Sequence, residues 1–142
     1  MGHLLGLHYS FYVFKALEMT LMAPNWLVRS HILYPMMSGV KGTIMAAKMA
    51  MEIGWSINLS GGYHHASSSR GMGYCIYPDI SLAVYWTREF YDVQRIMIID
   101  LDAHQGNGYE RDFMYDANVF TCDMYNADIF PGDAYAMQGI DQ

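Results

Sequence analysis

The sequence predicts an α/β fold in which helices flank a parallel sheet, and two observations carry that prediction. Three short apolar runs, Trp55–Leu59, Arg95–Asp100 and Val119–Asp123, have the length of buried strands, and helix-forming stretches lie before and between them. The two polar loops, 60–73 and 100–108, each follow such a run. Open parallel sheets place their sites at the carboxyl ends of strands, so fold and chemistry point to the same edge.

The elements follow in order. Residues 3–22 read as helix. Within them, Leu4–Leu21 is apolar and aromatic but is interrupted by Lys15 and Glu18, with no basic stretch before it. A buried or amphipathic helix, a segment lacking its packing partner, and a signal peptide stay open as readings. Pro24 suits a first helical turn, and that helix stops before Pro35. Ser38-Gly39 breaks the chain. A second helix, Val40–Ile53, is rich in Ala, Met, Lys and Glu, with Gly54 as its cap. Its methionines read as core filling. Trp55–Leu59 is a strand and 60–73 a glycine- and serine-rich loop. Asp79 caps a helix that runs to about Tyr91. Arg95–Asp100 is the central buried strand. A short helix spans about Gly108–Tyr115, Val119–Asp123 is another strand, and Pro131-Gly132 marks a turn.

Composition narrows the function. Of 142 residues, 53% are hydrophobic, enough for a real core. A net charge of −6 and scattered Lys and Arg exclude nonspecific nucleic-acid binding and a polybasic membrane surface. Cys75 and Cys122 are too few for a disulfide framework, have no CxxC spacing, and read as core.

Chemistry concentrates in Ile96–Gly108, IMIIDLDAHQGNG. On a continuing strand Asp100, Asp102 and His104 point the same way. Asp102 and His104 suit one zinc ion; a capped strand end whose Asp bonds loop amides is the alternative. Upstream stand His64 and His65, neighbours expected to point to different sides. Either serves as a base near neutral pH, or both belong to a surface loop. If Asp102 holds a metal, Asp100 is free to orient a histidine.

Together these stretches resemble the zinc-dependent histone deacetylases. The residues that carry the resemblance are Gly61-Gly62-Tyr63-His64-His65, Gly73-Tyr74-Cys75 and Ile99 through Gly108, supported by Pro24–Val28, Gly42–Ala46, Gly54–Asn58 and Tyr109–Phe113. The class IV branch is the nearest pattern, over roughly residues 22–135. The resemblance implies an arginase/deacetylase-like fold and hydrolysis of acyl-lysine amides on proteins such as histone tails, with corepressor proteins as partners and a nuclear or cytoplasmic location. It implies Zn²⁺ on Asp102 and His104, with a His64–His65 dyad that activates water and protonates the leaving amine. Asp100 would orient His64. Asn107 stands beside His65 where many relatives carry Asp and class IV members carry Asn. Gly73 and Tyr74 would line the acyl-lysine tunnel. Backbone carbonyls of Asp100, Asp102 and His104, with Asp123 and Met124, would form a K⁺ site.

The family's third zinc ligand, an Asp, and its oxyanion-stabilising Tyr belong to later loops. Asp128, Asp133 and Asp141 lie in the wrong context to replace them. Residues 1–21 therefore read as an unassigned apolar segment and 22–142 as an incomplete deacetylase domain, with an unfinished sheet and no turnover as this chain. The alternative is a truncated isoform or gene-model fragment that acts at most through protein contacts. A ureohydrolase is a third reading, because Asp-Ala-His also resembles the arginase metal motif. Those enzymes need an Asp shortly after the His, where Gln105 and Gly106 stand.

Overall fold

The computed structural model describes residues 22–139, and within them a helix opens after Pro24. Helix α1 (Asn25–Val28) runs into a π-helical turn over Arg29–Leu33 and then into α2 (Tyr34–Ile53). The chain divides into two compact units at Pro35. The expected stop before Pro35 and break at Ser38-Gly39 do not occur. Proline removes one helical donor, and a π-helical turn immediately upstream absorbs the irregularity: the Tyr34 N–H reaches back to the Arg29 carbonyl. The expected helix over residues 3–22 lies almost wholly outside the described residues.

Gly39 has a different job from breaking the helix. A Cβ there would stand 2.6 Å from Tyr63 Oη and 2.8 Å from Ser60 Oγ, so its absence lets the 60–63 loop lie against α2. Helix α2 ends as expected, with Gly54 at φ +95° and its N–H bonded to the Ala50 carbonyl. Met45, Met49 and Met51 are exposed, not core filling, among the described residues.

Trp55–Leu59 is not a strand. It keeps a two-residue alternation, but its inward side chains bond helix α2 instead of a neighbouring strand. Ser56 Oγ donates to the Ala46 carbonyl at 2.6 Å, and Asn58 Nδ2 donates to the Gly39 carbonyl at 3.2 Å and to Thr43 Oγ1 at 3.0 Å. Trp55, Ile57 and Leu59 face outward.

Helix α3 (Asp79–Tyr91), strand β1 (Ile96–Asp100), helix α4 (Asn107–Phe113) and strand β2 (Val119–Asp123) form the α/β unit, and a 3-10 turn (Ala136–Gly139) follows. β1 and β2 pair in parallel, from Ile96 opposite Val119 to Asp100 opposite Asp123. A crossover containing α4 joins them, as parallel pairing requires. Val84, Tyr109, Phe113 and Val119 form the buried core, with Ile80, Ile96 and Ile98 packed on it.

Among the described residues β1 is buried on one face, not on both as expected. Met97 and Ile99 are each 62% exposed, because the helices that cover Ile96 and Ile98 lie on the opposite side. Cys122 pairs with Ile99 on that outer face and is exposed, whereas Cys75 is buried as expected. No described helix is long and apolar enough to cross a membrane.

Phe113→Ala removes a ring from the core centre and is expected to lower stability by about 3–5 kcal/mol in urea unfolding. Met97→Ala, on the outer face, is expected to change it by no more than about 0.5 kcal/mol.

Candidate active site

The register of β1 and β2 sets Asp100 and Asp123 side by side at the carboxyl ends of the two strands. Past Asp100 the chain leaves the strand, so strand alternation is not what gathers the next polar groups. Two successive side-chain-to-backbone turns do so. Asp100 Oδ1 accepts the Asp102 N–H at 3.0 Å, and Asp102 Oδ1 accepts the His104 N–H at 2.8 Å. The second turn brings His104 Nδ1 to 3.0 Å from Asp102 Oδ1.

His64 and His65 converge instead of pointing apart, with ring centroids 4.1 Å from each other. They occupy a tight turn, where successive side chains need not alternate. Both are buried. His64 Nδ1 lies 2.8 Å from Asp100 Oδ2, and His64 Nε2 lies 3.8 Å from Asp102 Oδ1. His65 Nδ1 lies 2.9 Å from Asn107 Oδ1, and its ring is 5.8 Å from that of His104. Gly73 abuts His65: a Cβ there would stand 2.5 Å from His65 Cδ2 and 3.0 Å from the Phe130 ring. Tyr74, at φ +65°, projects outward and is exposed, as is Met124.

What holds the histidine turn is Asp79. Its expected role as a helix cap is not what the structure shows; the carboxylate turns away from α3 and is wholly buried. Asp79 Oδ2 accepts the Gly62 N–H at 2.8 Å and the Thr43 hydroxyl at 2.6 Å, and Oδ1 accepts the Tyr63 N–H at 2.8 Å. From the other side the Gly108 N–H donates to the His64 carbonyl at 2.8 Å. A Cβ on Gly108 would collide with the backbone of Ala66 and His64, so glycine there lets α4 abut the turn.

Asn107 opens a second layer. Its Nδ2 donates to Asp133 Oδ2 at 2.9 Å. Asp133 takes two bonds from Arg111, Nε at 2.6 Å and Nη2 at 2.5 Å, and Arg70 stands 3.6 Å away. Gln105 accepts the Asp133 N–H at 3.0 Å and donates to Glu110 at 2.7 Å. Sequence reasoning missed Asp79 and Asp133 as parts of this assembly. For Asp133 a signal existed. Asn107 and Arg111 are four residues apart, so α4 offers an amide donor and a guanidinium on one face, a natural carboxylate site.

Charge separates the two histidines. Burial works against the His64 cation, but the hydrogen bond and charge of Asp100, with Asp102 and Asp123, outweigh it and raise its pKa. Burial, joined by the charges of His64 and His104, lowers that of His65 despite the Asn107 bond. Burial also acts against ionised Asp100, yet the bonds from His64 and the Asp102 N–H hold its pKa low. Burial pushes Glu110 up to about 7, aided by the neighbouring carboxylates of Asp123 and Asp133. Asp133 is held down to about 2, because the Arg111 and Asn107 bonds outweigh its burial.

Asp102 Oδ1 and His104 Nδ1 suit a shared zinc. Adjacent ligands of a tetrahedral zinc with bonds near 2 Å stand about 3.3 Å apart. Among the described residues no third Cys, His, Asp or Glu completes a metal-holding group. Asp123 Oδ2 accepts the Gly106 N–H at 2.7 Å, while its Oδ1 is buried without a hydrogen-bond partner, a donor fit for a hard cation. Met124 donates its N–H to the Asp100 carbonyl at 3.1 Å. Gln105, standing where the ureohydrolase motif needs an Asp, faces the interior and bonds Glu110 and Asp133.

An α/β unit with two buried histidines beside the carboxyl end of β1, each paired with its own oxygen partner next to an Asp-Ala-His segment, defines the class as a deacetylase-type domain. The comparisons agree. The histone deacetylase domain profile matches residues 7–141, and the chain belongs to that family. Histone deacetylase 2 of Arabidopsis thaliana is 50% identical over 119 residues, 84% of this chain and 31% of the relative. An uncharacterized Picosynechococcus protein is 41% identical over 95 residues, 67% of this chain and 32% of its own length. The acetoin utilization protein AcuC of Staphylococcus aureus is 37% identical over 101 residues, 68% of this chain and 25% of that protein. The chain thus spans about a third or less of these relatives.

Asp79→Ala is expected to cost about 1–3 kcal/mol by stranding buried donors, and to speed hydrogen exchange at the Gly62 and Tyr63 amides. Unchanged exchange there would remove Asp79 as the anchor. Asp133 has a folded pKa below its ordinary 3.8, so its stabilisation is full above about pH 4 and fades as pH falls toward 2. The gap in urea midpoint between the parent and Asp133→Asn is therefore expected to shrink between pH 6 and pH 2.5.

Proposed function

We propose that this chain carries the histidine half of a zinc-dependent acyl-lysine deacylase site of class IV type. The supporting observation is the pair of separately anchored histidines, His64 on Asp100 and His65 on Asn107, beside Asp102 and His104. Asn at 107 is what the class IV branch of the family carries. Asp102 and His104 would hold the zinc, which when bound polarises an amide carbonyl and acidifies a water.

The chain's own residues supply the rest. His65 donates its Nδ1–H to Asn107 and so presents an unprotonated Nε2 as the proton acceptor. His64, whose protonated form the Asp100 carboxylate favours, stands next to it. Gly73 and Tyr74 flank the apolar stem of the acyl-lysine. Asp123, with the carbonyls of Asp100, Asp102 and His104 and with Met124, would hold K⁺. Proteins with acylated lysines, histone tails among them, are the substrates in this reading, with corepressor proteins as partners and a nuclear or cytoplasmic location. Residues 22–142 form part of the deacetylase domain. With two zinc ligands in view against the three of a catalytic site, the 142-residue chain by itself has no turnover.

The test exchanges residues 22–139 into the matching stretch of the Arabidopsis relative. The chimera is expected to release acyl groups from a lysine peptide, and His65→Ala within it to lower kcat at least about 100-fold. Asp102→Ala or His104→Ala in the 142-residue chain is expected to weaken zinc uptake at least about tenfold in calorimetry. A chimera indifferent to His65→Ala would overturn the role of the dyad, and acyl release by the 142-residue chain alone would overturn its inactivity.

A further inference from the structure

The bond from Asn107 to His65 depends on which way the amide faces. An asparagine amide presents a carbonyl oxygen on one side and two donors on the other. If it turned over, Nδ2 would face His65 Nδ1, and the imidazole would have to accept there and carry its proton on Nε2. The dyad would then present a donor where a proton acceptor is needed. Nothing in His65 itself decides between the two arrangements.

Asp133 decides. Its ionised carboxylate offers acceptors alone, and Oδ2 lies 2.9 Å from Asn107 Nδ2. Arg111 grips both oxygens of that carboxylate, and the Asp133 side chain is 7% exposed. The Ala136 N–H also reaches Oδ1 at 3.3 Å, and Gln105 ties down the Asp133 backbone. A carboxylate fixed in this way forces the amide donor outward and the amide oxygen toward His65. We propose that Asp133 is the positioning residue of the dyad: through Asn107 it locks His65 in the tautomer with Nδ1 protonated and Nε2 free. Where a carboxylate would contact the histidine directly, this chain sets the carboxylate one residue further out, with an amide in between. Arg111 neutralises that charge, so orientation is what reaches His65.

The catalytic meaning of this lock rests on the deacylase reading, but the lock itself is measurable without zinc or substrate. The measurement is the ring-nitrogen NMR spectrum of His65 in the 15N-histidine-labelled 142-residue chain. The parent is expected to show the Nδ1–H tautomer at nine-tenths or more. Asp133→Asn gives Asn107 a neighbour that accepts and donates equally well, so the Nε2–H form is expected to rise at least fivefold. Adding Asn107→Asp to that variant restores an acceptor-only group against His65 Nδ1 and is expected to return the Nδ1–H form. A purely structural role for Asp133 would not be rescued by a change at 107.

The inference is overturned if Asp133→Asn, with the amide signals of Val84 and Val119 unmoved, keeps the parent tautomer. It is also overturned if the parent is already mixed. Should the single variant unfold, the swapped pair decides alone: a folded pair with mixed tautomers sinks the proposal. Loss of acyl release in the chimera with an intact tautomer lock would count against the deacylase reading and leave the lock standing.

Discussion

Three carboxylates taken out of water, Asp79, Asp100 and Asp133, are each satisfied on both oxygens, and that requirement builds the histidine side of the site. An unpaired buried charge costs far more than any loop conformation, so the backbone arranges itself around the acids. Asp79 draws in the Gly62 and Tyr63 amides and the Thr43 hydroxyl, which fixes the turn carrying His64 and His65. Asp100 holds His64 on one oxygen and starts the Asp102 turn with the other. Asp133 binds Arg111 and Asn107. The apolar core of Val84, Tyr109, Phe113 and Val119 keeps α3, α4 and the two strands in place, but the acids aim the side chains.

Much of this was legible in the sequence where a local rule decides the outcome. Gly54 ends α2 because a left-handed cap favours glycine, and helix α3 and strand β2 fall where composition and patterning put them. The chemistry-bearing stretches were legible as motifs, but only 100–108 follows a strand; the 60–73 loop reaches it through the contact of His64 with Asp100. The α/β class follows from the same alternation of strands and helices.

The rest depended on long-range partners. Pro35 stops most helices, but the π-helical turn ahead of it is a property of the whole segment and not of the proline. Trp55–Leu59 has the alternation of a strand, yet Ser56 and Asn58 find acceptors on α2 first. Asp79 sits where a cap belongs, and its real partners lie 16, 17 and 36 residues away. The sequence around Asp133 gives no metal-ligand context, and its bond to Asn107 spans 26 residues. Periodicity assigns a side chain to a face; it does not say which polar group waits opposite.

The parallel register has a further consequence, for error correction during folding. Parallel strands have no hairpin turn to set their alignment, and a slip of one residue reverses which side chains face the core. Here such a slip would put Cys122 or Met124 opposite Asp100 and carry Asp123 away from the Gly106 amide that it caps. The misaligned pair would lose apolar burial and the anchor of the loop that bears His104 at the same time. The polar assembly at the strand ends therefore also proofreads the strand alignment on which it stands.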